Sequence, residues 1–322
     1  MKFSVVITTY NRLKLLQRAV KSVLKQTIPC ELVIVDDCSS DGTQDYVGNL
    51  NAQLRSQENA LRLVYHRNLV NSGHAATVNA GVQASNGDWI KFLDDDDYLA
   101  SNCLEEMTKA IAMRERAVIC SCVAAQVNTD EAELSRTPIV GPGLTYYIPQ
   151  ADIHYGMLLE LVPFGTPVQV ACRRDVFLKT GGWNSKLDTN CDDIDSWIRI
   201  SQFGDAIFLN QCLAYRTIWS GAYNHKFSLQ QRLDTNIFMK EQIYALVNEK
   251  HQTHTPAFQD IKNYLKLHWF LIALKSGNIK SCWQLLDSSL LSVNGWKILL
   301  SSFLTRQLHH HHPHIQKCVL IE

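Results

Sequence analysis

The sequence has no surplus of either charge: 31 Lys and Arg face 31 Asp and Glu over 322 residues. Gripping a nucleic-acid backbone takes a basic excess, so nucleic acid is not an expected partner and basic sites are confined to local clusters. No apolar run reaches the roughly 18 to 20 residues of a membrane-spanning helix. The first residues, Met1 to Ile7, are too short an apolar run for a secretory signal and turn polar at Thr8. Ten cysteines contain no C-x-x-C pair. Cys120 and Cys122 share one face of a strand-like run, as expected of buried free thiols in a reducing compartment. The expectation is a cytoplasmic protein whose only membrane contact, if any, is peripheral on the inner face.

Nucleotide fingerprints are missing too. Neither G-x-G-x-x-G nor G-x-x-x-x-G-K-[ST] occurs, which removes the dinucleotide and P-loop classes. There is no internal repeat. What remains is an ordinary globular composition, 46% apolar and 19% charged, in a chain long enough for one large domain with an appendage or for two domains.

Alternation of short apolar runs with helical periods predicts an α/β fold. Strands are expected at Phe3 to Thr8, Glu31 to Val35, Arg62 to Tyr65, from Trp89, and at Ala117 to Val123. Helices are expected between them, including His74 to Ala84 and Asn102 to Arg114, which implies a mainly parallel sheet flanked by helices. From Asn128 to Gly165, Pro and Gly break the pattern. Order returns with a strand over Val168 to Cys172, short helices near Asp175 to Thr180 and Asp192 to Phe203, and strands at Ala206 to Leu209 and Leu213 to Trp219. The predicted division is 1–228 as one α/β unit in two parts, 1–127 and 128–228, a helical region over 229–308 and a tail over 309–322.

Ligands of such sheets bind beyond the carboxyl ends of the strands. Here those ends carry Thr8-Thr9-Tyr10-Asn11, Asp36-Asp37 and Asp94-Asp95-Asp96-Asp97. Two carboxylates ~5 Å apart at an effective dielectric of ~20 repel by roughly 3 kcal/mol, so four in a row need solvent, protons or a cation. Hard oxygen ligands suit Mg²⁺ or Mn²⁺; the bland alternative is a solvated acidic turn. Tyr10 is placed to stack a base and Asp37 to accept from a base or ribose, although either residue also has a structural use as surface aromatic or helix cap. A second acidic run, Asp192-Asp193-Ile194-Asp195, begins a helix. A carboxylate there, aimed at the same rim, would serve as a general base.

The ordered set T-T-Y-N-R, V-D-D-C-S-S-D-G-T, N-S-G-H-A-A-T-V-N-A-G, F-L-D-D-D-D-Y-L, G-G-W and D-D-I-D-S-W-I-R resembles family 2 inverting glycosyltransferases of the GT-A fold. The likeness spans roughly Lys2 to His225. It implies that Thr8, Tyr10 and Asp37 hold the nucleotide base and ribose, that Asp94 and Asp96 are the metal-binding ends of a D-x-D motif for Mn²⁺ or Mg²⁺, that Asp95 assists at the sugar-nucleotide, and that Asp193 deprotonates the acceptor hydroxyl. The implied donor is a nucleotide-sugar, with UDP the first guess, and the implied acceptor a saccharide or lipid-linked saccharide.

There are departures. Family members commonly carry Arg where this chain has Val78, so a phosphate contact is lost or passes to Arg67, His74 or Lys91. No Q-x-x-R-W follows the base, which argues for single rather than processive transfer. A sugar-phosphate nucleotidyltransferase is disfavoured because Thr8 to Arg12 is not a Gly-rich basic loop. A non-catalytic nucleotide-sugar or glycan binder is disfavoured because Asp96 and Asp193 are both present. After Leu229, apolar helical faces interleaved with lysines suggest a packed bundle or a peripheral membrane surface, and the His309 to His314 run suggests a polar end.

Overall fold

The computed structural model describes residues 1–56, 61–187, 191–219, 228–286 and 288–301. Strand β1 (Phe3–Thr9) is buried at every position, as is β2 (Glu31–Asp36). Strands covered on both faces read as continuous apolar runs, which is why they were legible. β1 pairs in parallel with β2 on one side and β4 (Trp89–Asp94) on the other, and β2 pairs in parallel with β3 (Arg62–Arg67). The register sets Thr8 opposite Asp94 and Thr9 opposite Asp36. Three polar strand ends therefore share one level.

The connecting helices are α1 (Leu13–Leu24), α2 (Thr43–Arg55) and α3 (His74–Ala84). α3 lies close on the sheet because Gly81 has no side chain. A Cβ there would meet Val6 Cγ1 at 2.4 Å and Val35 Cγ2 at 2.8 Å. This approach fixes the helix start, and with it His74, at the rim.

Beyond β4 come β5 (Tyr98–Leu99), α4 (Cys103–Ala112), β6 (Ala117–Val127), β7 (Glu133–Arg136), β8 (Thr145–Ile148) and α5 (Gln150–Leu158). β9 (Val170–Arg173), α6 (Arg174–Lys179), α7 (Asp192–Ile200) and β10 (Asp205–Thr217) follow. The sheet order is β3-β2-β1-β4-β9-β6-β10-β5, with β7 on β6 and β8 on β10. The architecture is the expected helix-flanked sheet, with one difference of detail: β9 inserts antiparallel between β4 and β6, so the fifth expected strand does not adjoin the fourth.

Lys91 is buried on β4, where its Nζ donates to the carbonyls of Val168 and Val170 at the entry to β9. It braces the insertion and leaves no ammonium for a phosphate. The two strands expected at Ala206 to Leu209 and Leu213 to Trp219 are one, β10, whose register against β6 shifts between Leu209 and Ala214. A bulge at the polar Asn210-Gln211 pair carries the strand across the gap between the two expected ones.

The chain divides into two compact units, Met1–Gln150 with Pro163–Ala222, and Ala151–Val162 with Tyr223–Glu322. The second holds most of α5 with α8 (Leu229–Ala245), α9 (Phe258–Lys275) and α10 (Ile279–Leu285). Within it the buried Asp152 carboxylate meets His251 Nε2 at 2.7 Å and Lys250 Nζ at 2.5 Å, while Tyr155 stacks on the His251 ring at 4.2 Å. Lys240 Nζ caps the end of α5, donating to the carbonyls of Met157 at 2.9 Å and Leu158 at 2.7 Å. These bonds satisfy polar groups whose burial would otherwise cost about 1 to 3 kcal/mol each. Among the described residues no helix is long and apolar enough to cross a membrane.

Candidate active site

The first wall of the site is the turn after β1. Asn11 sits in the left-handed region at φ 52°, where Asn is among the few side-chain-bearing residues commonly found. Its Oδ1 accepts from the Ser40 amide at 2.7 Å, and Ser39 Oγ accepts from the Asn11 amide at 2.9 Å. The turn is thereby latched to the loop after β2. Tyr10 stays 46% exposed on the rim, open to a stacking partner, while Thr8 is buried with its hydroxyl 3.3 Å from Asp94 Oδ1.

Asp37 is buried beside it. Its carboxylate accepts from Asn68 Nδ2 at 2.7 Å, the Ser72 amide at 2.8 Å and the Gly73 amide at 3.0 Å. A carboxylate has about four lone-pair sites, so one remains for a base or ribose donor. Asp37 thus also shapes the loop that leads into α3. Of the three cations considered for the missing phosphate contact, Arg67 is committed to Asp36 and the Ser39 carbonyl and Lys91 is buried elsewhere; His74 is the one at the site.

The four carboxylates at the end of β4 diverge. Asp94 meets His74 Nε2 at 2.9 Å. Burial alone would raise its pKa, but the neighbouring imidazole and the Thr8 hydroxyl hold it below the ordinary range. Asp95 turns back to Thr9 Oγ1 at 2.8 Å and Arg12 Nη1 at 3.1 Å. Burial, with help from Asp96 and against Arg12, pushes it up to about 7. Asp96 accepts from Trp219 Nε1 at 3.0 Å and lies 3.5 Å from Arg12, whose guanidinium covers the Trp219 ring. Burial and then Asp94 raise Asp96; burial, Asp96 and Asp94 raise Asp97 well above its usual value. Asp97 is tied to the Thr217 amide at 2.8 Å.

Asp94, Asp96 and Asp97 each offer an oxygen, and the three atoms lie within 4.8 Å of one another. Metal–oxygen bonds of about 2.0 to 2.6 Å span such a set, and the donors are of the hard oxygen type that Mg²⁺ and Mn²⁺ take. Burial first, and then the neighbouring carboxylates, raise Asp96 and Asp97, as expected where acids crowd at a strand end. The residues therefore fit a divalent cation.

The second wall is α7. Arg199 pairs with Asp195 at 2.6 Å and donates to the carbonyls of Thr180 and Gly182, pinning the helix to the Gly181-Gly182-Trp183 turn. Asn79 of α3 closes the same turn from the other side, its Oδ1 accepting from the Trp183 amide and its Nδ2 donating to the Trp183 carbonyl. Gly182 has φ +73°, and a Cβ there would press on Asn79 Oδ1 at 2.3 Å.

So braced, α7 presents Asp192 and Asp193. Asp192 Oδ2 is buried with no hydrogen-bond partner among the described residues, its nearest cation being His74 Nδ1 at 3.4 Å. His74 thus spans the two acidic clusters. Burial opposes its charge, but Asp94 and Asp192 outweigh that and raise its pKa well above the usual value. Asp193 accepts one local bond, from the Ile194 amide at 2.7 Å. Burial, followed by Asp192, pushes its pKa up to about 7, with His74 pulling it down and Asp94 pushing it up further. Those influences put Asp193 within electrostatic reach of the β4 end.

Several contributors were not singled out from sequence: Arg12, Trp219 as the Asp96 partner, and Asp97 as a third oxygen. A run of four aspartates signals a cluster but not which carboxylates turn inward. His225, where the likeness ends, lies outside the described residues, as does the His309 to His314 run.

Comparison with known proteins agrees with this layout. The model of Glycosyl transferase family 2 matches residues 4–181. A provisionally named teichuronic acid biosynthesis glycosyltransferase, TuaG of Bacillus subtilis (strain 168), is 34% identical over 233 residues, 71% of this chain and 84% of that protein. The glucosyl-dolichyl phosphate glucuronosyltransferase of Haloferax volcanii is 25% identical, covering 87% of this chain and 96% of its own. Three further relatives match over part of their length; the aligned stretch is 48% of the uncharacterized glycosyltransferase YwdF of Bacillus subtilis, 62% of one from Haemophilus influenzae and 32% of one from Nostoc.

Among solved structures, S. aureus TarS 1-349 in complex with UDP-GlcNAc superposes with a TM-score of 0.60 at 17% identity, covering 97% of this chain and 92% of that one. The mannosyltransferase PcManGT from Pyrobaculum calidifontis, in complex with GDP-Man and Mn²⁺, gives 0.56 at 17% identity, covering 95% and 87%. The fold is GT-A, and the chain belongs to glycosyltransferase family 2.

Proposed function

We propose that the protein transfers a single sugar from a nucleotide-sugar, a UDP-sugar first among them, to a saccharide or lipid-linked saccharide acceptor with inversion at the anomeric carbon. The observation that carries this reading is the bridge of His74 between Asp94 and Asp192. Through it a cation-binding strand end and a helix start bearing a high-pKa carboxylate are joined at one rim.

Tyr10 and Thr8 receive the base and ribose, with the remaining lone pair of Asp37. Asp95, fixed by Thr9 and Arg12, borders the sugar-nucleotide. Asp94 and Asp96, joined by Asp97, would hold Mn²⁺ or Mg²⁺, which when bound neutralises charge on the leaving nucleoside diphosphate. Asp193 takes the proton of the acceptor hydroxyl as that oxygen attacks the anomeric carbon; the new C–O bond forms as the bond to the diphosphate breaks on the opposite face. A base with a pKa near the working pH is well matched to that transfer. Asp192 and His74 set the field in which Asp193 titrates.

UDP-GlcNAc and GDP-Man in the two GT-A complexes support a nucleotide-sugar as the donor class. The test is a screen of UDP- and GDP-sugars for nucleoside diphosphate release with and without saccharide acceptors. EDTA is expected to abolish release and Mn²⁺ or Mg²⁺ to restore it, with the product anomer opposite to the donor's by NMR. Full metal-free turnover, a retained anomer, or pyrophosphate release from a nucleoside triphosphate and a sugar phosphate would overturn the assignment.

A further inference from the structure

The second unit carries a run of exposed apolar side chains around α10. On α10, Leu285 is buried and Cys282 half-buried. Ile279 and Trp283 lie one turn apart on α10, and Leu286 follows directly after it. Ile279 is 72% and Trp283 73% exposed. Leu274 at the end of α9, and Leu291 and Val293 after α10, are exposed as well. So many uncovered large apolar side chains within one short stretch mark an interaction surface rather than ordinary surface scatter.

Charge identifies the partner. From Ile261 to Ser301 the sequence holds five lysines, Lys262, Lys266, Lys275, Lys280 and Lys297, and a single carboxylate, Asp287. Lys275, Lys280 and Lys297 are exposed and none pairs with a carboxylate among the described residues. A second copy of the same face would bring these ammonium groups together. A lipid surface would instead take the indole and aliphatic groups at the headgroup boundary and meet the lysines with phosphate.

We infer that α10 and the turns beside it dock the protein on an anionic bilayer. This stands independently of the transferase reading, since no residue of the candidate active site belongs to it. A docked face of this kind is peripheral: apolar groups enter only the interfacial layer, and electrostatic attraction adds to their burial.

The test is flotation of the full chain with phosphatidylcholine vesicles, with and without phosphatidylglycerol, at low and high salt. Binding is expected only with the anionic lipid and is expected to fall as salt rises. Ile279→Ser with Trp283→Ser should weaken it at least ~10-fold through lost apolar burial. Each of Lys275→Gln, Lys280→Gln and Lys297→Gln should weaken it roughly fivefold. Thermal melts and nucleoside diphosphate release in free solution are the controls, and both should match the unaltered protein.

Absence of binding to anionic vesicles at low salt would overturn the inference. So would a concentration-dependent dimer in sedimentation velocity that the Ile279 and Trp283 changes dissolve, because the face would then cover itself. Binding that emerges only after removal of residues 302–322 would assign the face to that segment instead.

Discussion

The two acidic runs of this protein are alike in sequence and opposite in how they are held. Asp94 to Asp97 follow a strand, and four carboxylates crowd where β4 turns. Arg12, His74, Thr9, Trp219 and the Thr217 amide each hold one of them. Asp192, Asp193 and Asp195 open a helix, where the macrodipole favours negative charge. There Arg199 claims Asp195, while Asp193 keeps only the next amide. Fixed oxygens in surplus suit a cation. A lone, lightly tethered carboxyl with a pKa of about 7 suits a proton. Geometry at the element's end, rather than composition, separates the two proposed roles.

The contrast is broken most severely at the strand end. Asp96→Asn should lower transfer on the order of 10³-fold, as expected when charge stabilisation of a leaving group is lost; steady-state rates at saturating Mn²⁺ would show it, and a loss under tenfold would detach Asp96 from the cation. Next comes the helix start. Asp193→Asn should slow turnover at least ~100-fold with little change in KM for the donor, the pattern of a lost general base. Near-normal kcat would remove Asp193 from the chemistry. Smaller again, Tyr10→Ala should weaken nucleoside diphosphate binding about tenfold by loss of a stacking face, measured by calorimetry; unchanged affinity would leave Tyr10 as a surface aromatic.

The mildest effect is on stability against pH. Asp95 and Asp193 sit near 7 when folded against a usual value of 3.8, so between about 4 and about 7 the unfolded chain releases protons that the folded one retains. Rising pH then favours unfolding. His74 extends the trend to higher pH, because its raised value contributes stability that is complete below its ordinary pKa of 6.5 and lost as pH climbs through the folded one. Melting temperatures of cation-free protein should fall across that window. Asp95→Asn and Asp193→Asn should each flatten the slope, and Mn²⁺ should flatten it through the strand-end cluster. A melting temperature that rises with pH over the window would contradict these assignments.

How far this was legible depended on the kind of order involved. Runs buried on both faces announced β1, β2 and β4. β9 was legible as a strand but not as an antiparallel insertion, since nothing local records which neighbour a strand will choose. Lys91 looked available for phosphate because a lysine beside an acidic run normally faces solvent; three-dimensional pairing with β9 buried it. The expected break between Leu209 and Leu213 proved to be a bulge within one strand. In the site, the acidic clusters and Tyr10 could be named from spacing, whereas the Arg12–Trp219 stack over Asp96 and the reach of His74 to Asp192 join residues about 120 to 210 positions apart and become visible only after folding.

The division of labour is tested most directly by titrating Mn²⁺, followed by electron paramagnetic resonance, into the unaltered protein and into Asp96→Asn and Asp193→Asn in the presence of a nucleoside diphosphate. The expected result is that Asp193→Asn binds the ion and the nucleotide as tightly as the unaltered protein, while Asp96→Asn binds the ion at least ~10-fold more weakly. Equal loss in both variants, or loss in Asp193→Asn alone, would contradict it.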